Sequence, residues 1–247
     1  MTETVLYDYA RSSASYRLRI ALNLAGIDYR QVPVDLTAQD QKSAAHLARN
    51  PQGLVPVLEI DGHRFTQSLA ILAYLDRTRD LGLLPGDPAE RCFVEAAAQA
   101  IAVDIHPVCN LSVAAHAVRI TGDEATRQSW MQRFIPPGLA AFEALLGRWT
   151  QAPYCTGRRV TLPDICLMPQ LYNADRWAAD YADCPRIRRV KAALEAHPAF
   201  AAAHPDRQAL EIEFLKGTVR SPAVHFIVAT FGTALEHSQG KCYRAET

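Results

Sequence analysis

The sequence predicts two architectures in series, a small mixed α/β domain followed by an all-helical one. Three observations carry this. Strand-like segments are confined to the first quarter of the chain, where they alternate with helical ones. A stretch at residues 81–88, with Gly82, Pro85, Gly86 and Pro88, then breaks the pattern as a linker does. From residue 89 to about 203 the spacing is helical, in Ala-rich runs such as residues 95–100. The expected division is an α/β domain at 1–80, a linker at 81–88, a helical domain at 89–207 and an extension at 208–247 whose structure is left open.

Taken in order, residues 5–9 (Val-Leu-Tyr-Asp-Tyr) have strand composition and run into Arg11-Ser12-Ser13-Ala14-Ser15, a polar turn rich in helix N-cap residues. Leu18, Ala21, Leu22 and Ala25 recur at helical spacing, and Gly26 supplies the stop. Residues 29–34 read as a second strand, 39–49 as a helix and Asn50-Pro51-Gln52-Gly53 as a loop. Residues 57–60 and 63–65, joined by Asp61-Gly62, make a hairpin with a strong turn signal. Residues 67–78 close a β-α-β-α-β-β-α unit, a small sheet covered by helices. In the helical part, breaks are expected at Pro136-Pro137, Pro153, Pro185 and Pro198. Thr161-Leu162-Pro163-Asp164 reads as a capping box that starts a helix.

Composition narrows the function classes. Lys+Arg 26 against Asp+Glu 26 leaves no net charge, so no global field exists to hold nucleic acid or an anionic membrane. With 49% hydrophobic and 21% charged residues among 247, the chain reads as an ordinary globular protein. Residues 222–235 are too short an apolar run to span a bilayer, and the acidic N-terminus lacks the pattern of a signal peptide. Six cysteines without a C-x-x-C read as reduced thiols, which points to the cytoplasm. No metal site is expected: Asp104 and Cys109 flank His106 without sharing one helix face with it.

Five motifs in order carry a resemblance: residues 11–19 after the first strand, Asn50-Pro51-x-Gly53-x-Val55-Pro56-Val57-Leu58, Gln67-Ser68-x-Ala70-Ile71, residues 105–112 (Ile-His-Pro-Val-Cys-Asn-Leu-Ser), and Asn173-Ala174-Asp175-Arg176-Trp177. Together they resemble the glutathione transferases and, among these, the zeta-class maleylacetoacetate isomerases, from residue 5 to about 206. The resemblance implies the glutathione transferase fold: a thioredoxin-like N-terminal domain, a C-terminal helical bundle, glutathione as cofactor and a homodimer.

The resemblance assigns Gln67 and Ser68 to the γ-glutamyl end of glutathione, at a helix start whose free N–H groups and dipole favour an anion. It makes Val55-Pro56 a cis bond that presents the Val55 backbone to the cysteinyl residue, and it puts Gln41 near the glycine end. Ser12, Ser13 and Ser15 supply hydroxyls at the mouth of the first helix, and by position Ser12 matches the serine that stabilises the thiolate. A free thiol of pKa near 8.5 is only about 3% ionised at pH 7, so a helix N-terminus and a hydroxyl donor are what the chemistry needs. Ala14 stands where many zeta-class members carry a cysteine, leaving the thiol of glutathione as the nucleophile. Arg11 and Arg176 match the arginines of an acidic-substrate pocket, where the guanidinium fork suits carboxylates. His106, Asn110, Leu111 and Ser112 are placed against glutathione; His106 and Asn110, four apart, are expected on one helix face.

The implied reaction is glutathione-dependent cis–trans isomerisation of maleylacetoacetate to fumarylacetoacetate in aromatic amino-acid breakdown, with a thiolate adding to and leaving the double bond. Two alternatives stay open: maleylpyruvate isomerisation or a general zeta-class transferase, and a non-catalytic glutathione-binding protein. The expected ligand partner is a small dicarboxylate, with neither nucleic acid nor membrane.

Overall fold

The structure, a computed structural model, describes residues 3–208. The extension from 209 on, with Phe226, Ile227, Val228 and Phe231, lies outside the described residues. Strand β1 (Val5–Asp8) leads into α1 (Ser13–Leu24), then β2 (Arg30–Pro33), a 3₁₀ turn (Asp40–Lys42), α2 (Ala44–Leu47), the hairpin β3 (Val57–Ile60) and β4 (His63–Thr66), and α3 (Ser68–Arg79). There follow α4 (Pro88–Gln99), a π turn (Ala100–Ile105), α5 (Leu111–Thr121), α6 (Ala125–Leu145), α7 (Leu162–Arg176), α8 (Pro185–Glu195) and α9 (Pro198–Ala202). All of them lie in the compact unit that ends at Pro205.

The sheet order is β2-β1-β3-β4. β1 and β2 run parallel, with Val5 opposite Arg30, so the connection between them must cross over, and α1 is that crossover. β3 lies antiparallel to both neighbours, with Leu6 opposite Leu58 and Leu58 opposite Phe65. Asp61 and Gly62 both take positive φ, 55° and 79°, the pair a tight two-residue hairpin requires.

Helix α1 is the centre of this unit. Every residue from Ser15 to Leu22 is buried, because α3 packs on one part of its surface and α7 and α9 on others. Leu18, Ile20 and Leu22 join Leu6 and Leu58 of the sheet and Ile71, Leu72 and Leu75 of α3 in one core. A helix buried all round has no solvated face for charged side chains, so Arg17 and Arg19 lie inside the protein.

Three expectations are corrected. Residues 39–49 are not one helix: Ser43 is extended, at ψ 150°, and its hydroxyl accepts the His46 N–H at 3.2 Å, capping α2 and separating it from the 3₁₀ turn. Pro136-Pro137 do not break the chain but lie within α6. Proline fixes φ near its helical value and removes two N–H donors, while Met131, Ile135, Leu139 and Phe142 keep one buried stripe running past them. His106 and Asn110 do not share a helix face. His106 ends the π turn, and Asn110 has extended backbone (φ −68°, ψ 144°) as the N-cap of α5. Pro185 and Pro198 open α8 and α9, and the capping box of Thr161 and Asp164 is present, with Asp164 Oδ2 accepting the Thr161 N–H at 2.8 Å.

Candidate functional site

Ser12 is the N-cap of α1. Its backbone N–H donates to the Tyr9 carbonyl at 2.9 Å, and its Oγ accepts the Ser15 N–H at 3.2 Å. A hydroxyl that accepts still has its proton to donate, so Ser12 can cap the helix and offer an outward donor together. Ser13 opens the helix, its Oγ lying 3.5 Å from the Pro169 carbonyl of α7. Ser15 points inward, its hydroxyl buried and unpartnered. Arg11, just before the cap, is exposed.

A second group forms around residues 50–56. His46 Nε2 and Asn50 Nδ2 both lie within hydrogen-bond reach of the Leu54 carbonyl, at 3.0 and 2.9 Å, and Asn50 Oδ1 accepts the Gln52 N–H. Gly53 has φ +62°, and a Cβ there would meet the Gln41 carbonyl at 3.0 Å and Lys42 Nζ at 2.8 Å, so only glycine lets the chain pass. The Val55-Pro56 bond is cis. Gln67 Nε2 donates to Gln52 Oε1 at 2.7 Å, tying this loop to the start of α3. Gln67 itself has φ 68° and ψ 107°, a conformation that non-glycine residues rarely hold without support from their surroundings. The structure thus brings Gln41, Val55, Gln67 and Ser68 around one loop, and the Arg17–Ser68 bond, 3.1 Å, links α3 to α1.

On the helical side, His106 is half-buried, and burial, reinforced by the nearby Arg17 cation, pulls its pKa down to about 3. Its ring is neutral at physiological pH. Burial pushes the thiols of Cys109 and Cys166 up to about 11, so neither is a thiolate there. Asn110 Oδ1 accepts from Ser112 N–H and Oγ–H, both at 3.0 Å, which directs these two residues to the start of α5; Leu111 between them is exposed. Arg176 ends α7 in solvent, its guanidinium 5.9 Å from the Tyr172 ring centre and 5.7 Å from that of Trp177. Seven residues separate it from Pro169, about 10 Å along the helix, so α7 carries the serine turn's neighbour and this arginine on a single rigid rod.

Sequence reasoning gave no site role of their own to three residues that build this arrangement: His46, Arg17 and Asn50, the last read only as part of the loop motif. Arg17 had a visible signal. It is a charge, two positions before a second arginine, inside a helix whose Leu18, Ala21, Leu22 and Ala25 recur at helical spacing.

Residues 3–77 match the family described as glutathione S-transferase, N-terminal domain. The chain is 58% identical over 207 residues to the maleylacetoacetate isomerase of Rhizobium meliloti (strain 1021), covering 83% of this chain and 97% of that protein. Among solved structures, a holo maleyl pyruvate isomerase, described as a bacterial zeta-class glutathione S-transferase, superposes with TM-score 0.79 at 38% identity, covering 81% of this chain and 96% of that one. A maleylacetoacetate isomerase from Methylobacterium extorquens AM1, with bound malonate and GSH, superposes with TM-score 0.77 at 36% identity over the same shares.

Proposed function

The chain belongs to the maleylacetoacetate isomerase family of zeta-class glutathione transferases, and from that premise we propose that it isomerises maleylacetoacetate to fumarylacetoacetate with glutathione as cofactor. The observation that carries the reading is the match to a maleylacetoacetate isomerase over nearly that protein's whole length. The residues present fit glutathione, since buried polar atoms without partners, Gln41 Oε1 and Arg17 Nη2, lie on the elements that border the 50–56 loop and the start of α3.

In this reading residues 1–80 hold the cofactor, 81–88 link, and 89–207 supply the substrate side. Gln67 and Ser68 take the γ-glutamyl end, Val55 offers backbone N–H and C=O, and Gln41 stands toward the glycine end. When bound, glutathione supplies the thiolate that adds to and leaves the double bond. Ser12 donates its hydroxyl proton toward the sulfur position, and the free N–H groups of α1 add their positive field. Ser13 and Ser15 shape that turn. His106, neutral, serves as a hydrogen-bond partner rather than a proton source, and Asn110, Leu111 and Ser112 line the same side. Arg11 and Arg176 hold the carboxylates of a small dicarboxylate and offset negative charge formed beside them. The working form is a cytoplasmic homodimer.

The solved maleyl pyruvate isomerase keeps a second substrate in view. A spectrophotometric assay of the full chain with maleylacetoacetate and with maleylpyruvate, each with and without glutathione, tests both. Turnover that requires glutathione and is faster with maleylacetoacetate is the expected result. Faster turnover of maleylpyruvate would keep the residue roles and change the substrate. Glutathione binding with turnover of neither would leave a general transferase or a binding protein.

A further inference from the structure

Two arginines, two residues apart on α1, are both buried and differently provided for. Arg19 donates to both Asp8 oxygens, at 2.9 and 2.7 Å, and to the Ala10 and Ala203 carbonyls at 2.8 and 3.0 Å. Among the described residues Arg17 makes one hydrogen bond, from Nη1 to Ser68 Oγ at 3.1 Å, while Nε and Nη2 are buried without a partner there. Only 2% of Arg17 is exposed, and among the described residues no carboxylate pairs with it. Among the described residues the titratable groups that feel its charge are the His106 ring and the Cys166 thiol, both uncharged at neutral pH. A guanidinium cannot escape burial by giving up its proton as a lysine does. The cluster therefore holds a permanent positive charge and unused donors, with no anion, beside the first residue of α3.

We propose that Arg17 is a positioning residue for an anionic ligand group at the start of α3. By donating to Ser68 Oγ it fixes that oxygen as an acceptor and turns the hydroxyl proton outward toward the ligand. Its charge also supplies the counter-ion that the ligand carboxylate meets. The inference rests on glutathione binding at this site, and the carboxylate is then the α-carboxylate of the γ-glutamyl residue. A residue placed there for packing alone needs no charge, and the neighbouring Arg19 shows how this fold satisfies a structural arginine: with a carboxylate.

The test pairs a change in the protein with a change in the ligand. Wild type, Arg17→Met and Arg17→Lys are titrated calorimetrically with glutathione and with an analogue in which 4-aminobutanoyl replaces γ-glutamyl, removing only the α-carboxylate. Wild type is expected to bind the analogue about 10- to 100-fold more weakly, the range for hydrogen bonds to charged groups. Arg17→Met is expected to lose most of that discrimination by weakening glutathione while binding the analogue nearly as wild type does, with Arg17→Lys in between. Equal weakening of both ligands by Arg17→Met, or of neither, overturns the proposal. If Arg17→Met does not fold, the side-chain Nε–H resonance of Arg17 in wild type, assigned through Arg17→Lys, gives the answer. It must move with glutathione and stay with the analogue; the same response to both overturns the proposal. Wild type that binds no glutathione removes the reading beneath it, a failure distinct from lost discrimination in one variant.

Discussion

Ser12 caps α1 and, in the proposed function, also serves the thiolate, and substitution separates the two. Its oxygen caps α1 through the Ser15 N–H, so Ser12→Ala should lower stability by about 1 kcal/mol, read from a urea midpoint. Its proton is, in the proposed function, the donor offered to the thiolate. Without it the bound thiol should titrate nearer its free value, and turnover at pH 7 should fall about 20-fold, with recovery as the pH is raised. A uniform loss at every pH, with the bound thiol titrating unchanged in the ultraviolet, would make Ser12 a cap alone. His106 gives a prediction of opposite character. Its folded pKa is pulled down to about 3, against about 6.5 in the unfolded chain. Between those values the unfolded state binds a proton that the folded state does not, so stability is full above about 6.5 and falls as the pH drops toward 3. His106→Gln should remove about 1 kcal/mol of the stability difference between pH 7 and pH 5.5, measured by denaturant unfolding. An identical pH dependence in both proteins would mean that His106 keeps an ordinary pKa.

At the scale of elements, what the sequence shows depends on whether the signal is local. The hairpin at Asp61-Gly62 was legible because both turn residues must take positive φ, and the capping box at Thr161 because both partners lie within four residues. Pro136-Pro137 misled because propensity is local whereas the support for α6 is not. Its stripe of Met131, Ile135, Leu139 and Phe142 is held by packing that residue counting does not reveal. Gly138, just beyond the prolines, makes the point testable. A Cβ there would stand 2.5 Å from Ile105 Cγ1 and 2.6 Å from its Cδ1, and Ile105 is itself in the core. Gly138→Ala should therefore destabilise by about 1–3 kcal/mol through overpacking, although alanine is the better helix former. The added change Ile105→Val, which shortens the crowded side chain, should restore part of the loss. An unaltered urea midpoint in Gly138→Ala would show that α6 and the π turn separate freely. Because Ile105 adjoins His106, the single variant should also disturb the neutral histidine beside Arg17.

Across the whole molecule, the resemblance proposed elements of the site that chemistry alone did not. Hydroxyls at a helix mouth and a polar pair at a helix start were readable as anion-favouring, but nothing in residue types says that the 50–56 loop, the α3 start and the α1 turn meet. That meeting depends on long-range contacts such as Gln67 to Gln52 and Arg17 to Ser68. Burial of α1 on all sides was likewise hidden, since it requires α3, α7 and α9 to converge on one helix. The convergence explains Arg19, whose guanidinium joins the end of β1 at Asp8, the turn at Ala10 and the backbone at Ala203. Asp8 also accepts from Gln31 on β2, so one buried ion pair ties early and late parts of the unit together. Removing one partner of such a pair leaves the other charged and enclosed, which typically costs about 3–5 kcal/mol, whereas replacing both by apolar groups costs far less. Asp8→Leu alone should thus lower stability by that amount, and Asp8→Leu with Arg19→Met should recover most of it, measured as denaturant unfolding of the full chain. If the double variant is no more stable than the single one, the carbonyl bonds of Arg19 to Ala10 and Ala203, not its pairing with Asp8, are what hold the ends of the unit together.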